Sequence, residues 1–231
     1  AESDAFIPLE LVEYAANATV RPAGDTLHIG VDVARFGDDE TVIAPRIGGK
    51  VFDLRTYNKQ DTMVTAGWVI ATAREMLQQF PRLRRVVIKV DDTGVGGGVT
   101  DRLNEVIRED RLYDWTVVPV NNSGKPTSDE DEHYENRGTE TWATVRDLLQ
   151  ESFSRHMRGE APTIELPNDD RLIAQLSQRK YRMTSRGKLA LERKEDMKKR
   201  GLDSPDRADA VVLAFVEEQS MPFSSQRPAG W

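Results

Sequence analysis

The sequence predicts an α/β fold in which helices flank a mixed β-sheet. Three antiparallel strands open the pattern, and strands then alternate with amphipathic helices, without an internal repeat. The chain has 231 residues, of which 38% are hydrophobic and 31% charged, so it can bury a core of its own. It has no cysteine, which excludes disulfides and thiolate chemistry, and no apolar run approaches the ~20 residues that cross a bilayer.

The first three predicted strands form an antiparallel meander. In the first strand apolar residues alternate with small or polar ones, so Asp32 points away from the apolar face. The apolar positions of that strand are Leu27, Ile29, Val31 and Val33. Residues 41–47 and 51–57 form the next two strands, and Gly48 and Gly49 supply the turn between them.

The rest of the chain alternates helices with strands. The predicted elements are helices at 62–80, 99–108, 139–157 and 204–219 and strands at 85–91 and 115–120. Asp91 ends a short, mostly apolar strand, as expected of a strand covered on both faces. Ser204 and Pro205 predict the start of the last helix, with the serine as its N-cap.

A basic hairpin is predicted between residues 176 and 192, with a turn at 184–187. Its exposed positions are predicted to be Arg179, Lys180, Arg182, Arg186 and Lys188. The chain as a whole carries a net charge of −7, but residues 171–200 hold eleven lysines and arginines against three acidic residues, a local charge of +8. This separation of charge indicates a surface that can bind a polyanion.

Carboxylates are predicted to converge at one edge of the sheet. Asp32 and Asp91 lie at the ends of two strands, and Asp206 and Asp209 are neighbours beside the apolar stripe of the last helix. Carboxylates so close together require cations or protons. All-oxygen ligands favour Mg²⁺ or Mn²⁺, and two such ions ~4 Å apart can hydrolyse a phosphodiester, so the pattern predicts a nuclease site.

Four segments together resemble the nuclease domain of the large terminase subunit of tailed bacteriophages. They are GVDVARFGDDETV (30–42), VDDTGVGGGVTDRL (90–103), RGKLALERKEDMKKRG (186–201) and SPDRADAVVLAF (204–215). The resemblance spans about residues 27–215. It implies an RNase H-like fold. It also implies an enzyme that cuts concatemeric viral DNA and uses acidic residues to hold two Mg²⁺ or Mn²⁺ ions.

Carried over by motif, the metal-binding residues are Asp32, Asp91 and one or both of Asp206 and Asp209. Asp38 falls where some members of the family have an additional acidic residue near a metal. Asp39 and Asp92 are expected to be turn residues or to lie outside the ligand set. The five basic hairpin residues are expected to bind DNA phosphates.

The resemblance also implies a division of the chain and a set of partners. Residues 1–24 contain Pro8, Pro22 and Gly24 and are expected to be irregular. The resemblance implies that they are a linker remnant, that 25–220 form the nuclease domain and that 221–231 are a flexible tail. No GxxxxGK[ST] loop is present, so the packaging ATPase domain of the family is expected to be missing from this chain. Expected partners are double-stranded DNA, portal and small terminase subunit, in the host cytoplasm and transiently at the procapsid portal, without a membrane.

Two alternative functions remain open from the sequence. An actin- or sugar-kinase-like phosphotransferase shares the order of strands and the first aspartate, but needs a duplicated domain and glycine-rich phosphate hairpins. A non-catalytic DNA-binding assembly module would use only the basic segment. Metal-dependent cutting of DNA separates the nuclease from both.

Overall fold

The central sheet is mixed, and helices cover both of its faces. The computed structural model describes residues 4–34, 37–58, 61–127 and 131–217. The strands of this sheet are β1 (Thr26–Asp32), β2 (Thr41–Ile47), β3 (Lys50–Val51), β4 (Arg55–Tyr57), β5 (Arg85–Asp91) and β6 (Trp115–Val120). Their order is β3-β2-β1-β5-β6, with β4 also paired to β2. β1 is antiparallel to β2 and parallel to β5, so the predicted mixed sheet with an antiparallel start is confirmed.

The predicted third strand is interrupted opposite Pro45 of β2. It forms β3 and β4, which both pair with β2. The backbone N–H of Phe52 donates to the Pro45 carbonyl at 2.9 Å. In an antiparallel ladder the same residue would donate back through its own N–H, which proline lacks. The missing hydrogen bond falls at the place where the strand divides.

Seven helices pack around the sheet within the described part of the chain. They are α1 (Leu9–Ala16), α2 (Thr62–Gln79), α3 (Gly96–Glu109), α4 (Arg137–Met157), α5 (Asp170–Gln178), α6 (Lys194–Lys199) and α7 (Asp206–Ala214). The apolar side chains of β1 pack with α2 and α3 on one face. The other face packs with α1, α4, α5 and α7. None of the described helices combines the length and the hydropathy that a membrane span requires.

Helix α7 lies directly against β1, and Gly30 permits the close approach. A Cβ atom built on Gly30 would stand 1.9 Å from the Ala210 carbonyl oxygen and 2.6 Å from the Ala214 nitrogen. Both of those atoms belong to the α7 backbone, so a side chain at position 30 would push the helix away. This contact sets the distance between β1 and the helix that carries the last two predicted site residues.

Two cations, the buried Lys89 and the partly buried Arg46, hold the carboxyl end of α7. Lys89 Nζ and Arg46 Nε donate to the Ala214 carbonyl oxygen at 3.1 and 2.9 Å. Both charges lie where the helix dipole is negative. Lys89 also lies 2.9 Å from His28 Nδ1. Burial, together with the charges of Arg46 and Lys89, lowers the pKa of His28 to about 3, so the imidazole is neutral and can accept that hydrogen bond.

The expectation that residues 1–24 are irregular is wrong. They contain α1, which begins after Pro8 and buries Leu11 and Val12 in the same core as α4 and α5. Pro8 is the N-cap of α1, a position where the missing N–H of proline costs no helical hydrogen bond. The division of the chain at residues 24 and 220 stays a prediction, and the tail at 221–231 lies outside the described residues.

The accessory hairpin is confirmed, but it is shorter than expected. Its strands are β7 (Tyr181–Met183) and β8 (Leu189–Leu191). Residues 176–178, predicted as strand, belong to α5 instead. Leu172 and Leu176 are both buried and lie four residues apart on one face of that helix, and Asp169 caps it through the Leu172 N–H at 2.9 Å.

Replacing Gly30 with alanine should destabilise the fold, whereas the same change at Gly67 should stabilise it. Gly30→Ala forces a methyl group into the α7 backbone, and we expect a loss of about 3 kcal/mol in the free energy of unfolding. Gly67 lies in α2 with no atom within 4 Å of an added Cβ, so Gly67→Ala should gain about 0.5–1 kcal/mol. Urea denaturation measures both; equal effects would contradict the close packing of α7 on β1.

Candidate functional site

The carboxyl ends of β1 and β5 and the first turn of α7 meet at one cavity. It has a volume of about 570 Å³, and Asp32, Asp91, Asp206 and Asp209 all line it. Each of the four residues is buried, with relative exposures between 4% and 7%. Because β1 and β5 are parallel neighbours, their carboxyl ends emerge at the same edge of the sheet. The topology thus brings together residues that lie up to 177 positions apart in the chain.

Asp206 is fixed at the start of α7 by two hydrogen bonds. Its Oδ1 accepts from the Ser204 hydroxyl at 2.6 Å and its Oδ2 from the Glu40 backbone N–H at 2.9 Å. The N-cap is Pro205 and makes no side-chain capping bond, so the predicted capping role of Ser204 is wrong. Burial raises the pKa of Asp206, and the two hydrogen bonds oppose that rise.

Asp91 is oriented by the turn that follows β5. Its Oδ1 accepts from the Thr93 backbone N–H at 3.0 Å and also from the Thr93 hydroxyl. Gly96 allows this turn, because a Cβ atom there would stand 1.7 Å from the Asp91 carbonyl oxygen. Both Asp91 and Thr93 line the cavity. The turn therefore holds the Asp91 carboxylate at the cavity edge.

Asp209 is surrounded by three donors. Trp142 Nε1 donates to Oδ1 at 3.0 Å, and the Arg179 guanidinium lies 3.4 Å from the same oxygen. Lys194 Nζ lies 2.7 Å from Oδ2. Arg179 also stacks on the Trp142 ring, with its Cζ atom 4.8 Å from the ring centroid. An indole and two cations thus compensate a carboxylate that is buried among other acids.

Neighbouring charges shift the pKa values of Asp32 and Asp209 in opposite directions. Burial, followed by the charges of Asp209, Asp206 and Asp91, raises the pKa of Asp32 well above its usual range, although Lys194 opposes the rise. Burial would also raise the pKa of Asp209, but Lys194, Arg179 and the Trp142 hydrogen bond outweigh burial and lower it. Burial acts to lower the pKa of Lys194, and the charges of Asp209 and Asp32 reverse this and raise it.

The structure brings all four predicted aspartates to one cavity, and their role as metal ligands stays a prediction. Asp38 is exposed and does not line the cavity, whereas its neighbour Asp39 does. Among the described residues, no group of three or more acidic or histidine side chains stands close enough to hold a metal ion in the present arrangement.

Arg179 does not occupy the exposed position that the sequence predicted. It is 7% exposed, and its Nε donates to the Glu192 carbonyl oxygen at 3.0 Å. It is the first residue after α5, which turns its side chain toward Trp142 and Asp209. Arg182 and Arg186 are exposed, and Lys180 and Lys188 are partly exposed. The role of these four residues in binding DNA remains a prediction.

Sequence reasoning missed three residues of this cavity. Lys194, Trp142 and Thr93 all line it. Thr93 follows two residues after Asp91, and this spacing, typical of an aspartate that accepts a hydrogen bond from its own turn, was a usable signal. Trp142 and Lys194 had no such signal, because they lie 67 and 15 residues before Asp209.

No family model matches this sequence, and a search of curated proteins finds no match. Solved structures do match. The nuclease domain of the large terminase subunit gp2 of bacterial virus Sf6 superposes with a TM-score of 0.77 at 20% identity, over 92% of this chain and 99% of that domain. A variant of that domain with manganese and β-thujaplicinol gives the same values.

The large terminase nuclease of thermophilic phage G20c, with bound magnesium, has a TM-score of 0.55 at 15% identity. This match covers 90% of the present chain and 96% of the G20c chain. The RNase H-like expectation for the fold is therefore confirmed: the chain has the fold of terminase large-subunit nuclease domains.

Proposed function

We propose that this chain is the metal-dependent nuclease domain of a viral genome-packaging terminase, and that it cuts concatemeric double-stranded DNA. The observation that carries the proposal is the set of four buried carboxylates that two parallel strands and one helix bring to a single cavity. The shared fold supports it, since the similar Sf6 and G20c domains have been crystallised with manganese and magnesium.

The chemistry of the donor set suits two hard divalent cations such as Mg²⁺ or Mn²⁺, although the carboxylates have to move closer together to hold them. All four groups are carboxylates, the ligands that these ions prefer, and they are already desolvated. When bound, the ions would activate water and stabilise the leaving oxygen of a phosphodiester. The proposed ligands are Asp32, Asp91, Asp206 and Asp209.

Before a metal can bind, the side chains around Asp209 have to rearrange. Lys194 occupies the Oδ2 side of Asp209 at 2.7 Å, and its side chain is 38% exposed, so it can rotate toward solvent. Arg179 is more firmly held, because it also donates to the Glu192 carbonyl oxygen. Lys194 is thus the group that a metal ion would displace, and Arg179 and Trp142 would keep Asp209 oriented.

The basic hairpin lies next to the cavity, and this position supports a role in holding DNA there. β8 ends at Leu191, and the residues from Leu191 to Glu195 line the cavity. A phosphate backbone bound to Arg182 and Arg186 would therefore lie on the hairpin whose second strand leads into the cavity wall. Contacts of this kind position the duplex without reading its sequence. We include Lys180 and Lys188 in this surface and leave out the buried Arg179.

The remaining partners follow from the resemblance and stay proposals. They are the packaging ATPase domain, the portal and the small terminase subunit, met in the host cytoplasm and at the procapsid portal. The kinase alternative requires two copies of the domain, and the described residues form one central sheet of this topology. No observation favours the non-catalytic alternative over the nuclease.

Removing one carboxylate should abolish cleavage and leave the fold intact. We expect Asp32→Asn and Asp91→Asn each to reduce Mn²⁺-dependent nicking and linearisation of plasmid DNA by about 100-fold or more, the factor that corresponds to ~3 kcal/mol of transition-state stabilisation. Both variants should keep the far-ultraviolet circular dichroism of the parent, and their thermal midpoints should be no lower than that of the parent, because each change removes one of the carboxylates that repel one another.

The matched control is Asp38→Asn, which removes the same charge from an exposed position in the loop after β1. This variant should cut plasmid at the parental rate. Parental activity in Asp32→Asn or Asp91→Asn would contradict the proposed function.

Lys194 should stabilise the metal-free protein and compete with the metal. Lys194→Met leaves Asp209 without its nearest cation and removes the charge that opposes the raised pKa of Asp32, so we expect a loss of about 1–3 kcal/mol in the free energy of unfolding in chelator. Added Mn²⁺ should then raise the thermal midpoint of the variant more than that of the parent.

Lys198→Met is the control for this change. Lys198 also lies on α6 and lines the cavity, but its Nζ is 4.0 Å from Asp39 and its side chain is 50% exposed. Equal stability of the two variants in chelator, with equal gains from Mn²⁺, would refute the role of Lys194.

A further inference from the structure

An acidic segment lies along the outer side of the basic hairpin. We call residues 131–135 the acidic strap. The Leu189 N–H donates to the His133 carbonyl at 2.8 Å, and the Glu135 N–H donates to the Leu189 carbonyl at 2.9 Å. These bonds pair Tyr134 with Leu189 in parallel. β8 therefore has β7 on one side and the strap on the other.

The charges of the strap nearly balance those of the hairpin. The strap carries three acidic residues, Asp131, Glu132 and Glu135, and residues 180–191 carry four basic residues and no acidic one. Asp131 Oδ1 lies 3.7 Å from Lys188 Nζ. All three acidic residues are exposed, so their charges face the solvent beside the hairpin.

The two arginines of the hairpin differ from its two lysines. Lys188 pairs with Asp131, and Lys180 pairs with Asp4 at 3.0 Å. Within the described part of the chain, no ion pair engages Arg182 or Arg186. Each lysine thus faces a carboxylate from another segment, whereas the arginines are open to an incoming anion.

Hydrogen bonds at the start of α4 hold the strap next to the hairpin. It leads directly into Asn136, whose Oδ1 caps α4 by accepting from the Thr139 N–H at 2.9 Å. The Thr139 hydroxyl oxygen in turn accepts from the Leu191 N–H at 3.1 Å. The strap and β8 are therefore fixed to the same turn of α4. Asp131 of the strap and Lys188 of the hairpin lie well within the ~10 Å over which charges interact in 0.1 M salt.

We propose that the acidic strap competes with the phosphate backbone of duplex DNA for the basic side chains of the hairpin. The inference rests on the proposed function, because it takes the hairpin as the DNA-binding surface. Exposed ion pairs are weak, so phosphates can displace Asp131 from Lys188. Until then the strap lowers the positive potential of the surface and the number of counterions that DNA releases on binding.

The test measures DNA affinity in chelator, where no cutting occurs. The variant D131N/E132Q/E135Q removes the three charges of the strap and keeps the size of each side chain. By fluorescence anisotropy with a labelled 30-base-pair duplex in 50 mM salt, we expect about fivefold tighter binding than the parent. The dependence of affinity on salt should also be steeper.

The control variant D101N/E105Q/E109Q removes three charges from the exposed side of α3, which packs on the opposite face of the sheet. It should bind DNA with nearly parental affinity. In a Lys188→Gln background, neutralising the strap should increase DNA affinity by a smaller factor, because the ion pair between Lys188 and Asp131 is already absent.

Failure of this inference is distinguishable from failure of the proposed function. If R182Q/R186Q weakens DNA binding but the strap variant binds no more tightly than the α3 control, the competitor role is refuted and the nuclease proposal is untouched. If R182Q/R186Q binds as the parent does, the hairpin is not the DNA surface, and both its proposed role and the strap inference are overturned. Plasmid cutting in Mn²⁺ tests the carboxylates separately.

Discussion

Four buried carboxylates share one cavity, and their mutual repulsion has to be balanced by positive charge. In the structure that balance comes from Lys194 and Arg179, which engage Asp209, and from the raised pKa of Asp32, which favours its protonated form. The same repulsion is what a pair of divalent ions would relieve. The protein's own cations and the proposed metals are therefore alternative solutions to one electrostatic problem.

The backbone arrangement that creates this problem depends on the contact between β1 and α7. Gly30 lets the helix approach until its backbone touches the strand, and Lys89 and Arg46 hold its carboxyl end. The helix therefore directs its amino end, where the dipole favours anions, toward the cavity. Asp206 and Asp209 lie in that first turn, which places them beside Asp32 at the end of β1.

The sheet and the positions of the aspartates could be predicted because both correspond to local sequence patterns. Alternation indicates β1, a mostly apolar β-branched run indicates β5, and Asp32 and Asp91 stand at the ends of these strands. The sequence does not predict helix α1, because Pro8 and Pro22 indicate irregular structure, although Pro8 directly precedes the first turn of the helix. The burial of Arg179 and the position of Lys194 had no local mark, since both follow from how α5, the hairpin and α6 pack around Asp209.

Anomalous diffraction from crystals soaked in Mn²⁺ is the sharpest test of the proposed metal site, because it locates the ions without reference to activity. We expect two anomalous peaks in the cavity, bounded by Asp32, Asp91 and one or both carboxylates of α7, with Lys194 Nζ moved away from Asp209. An absence of peaks in the cavity at saturating Mn²⁺, or peaks bound to other residues while Lys194 still pairs with Asp209, would contradict it.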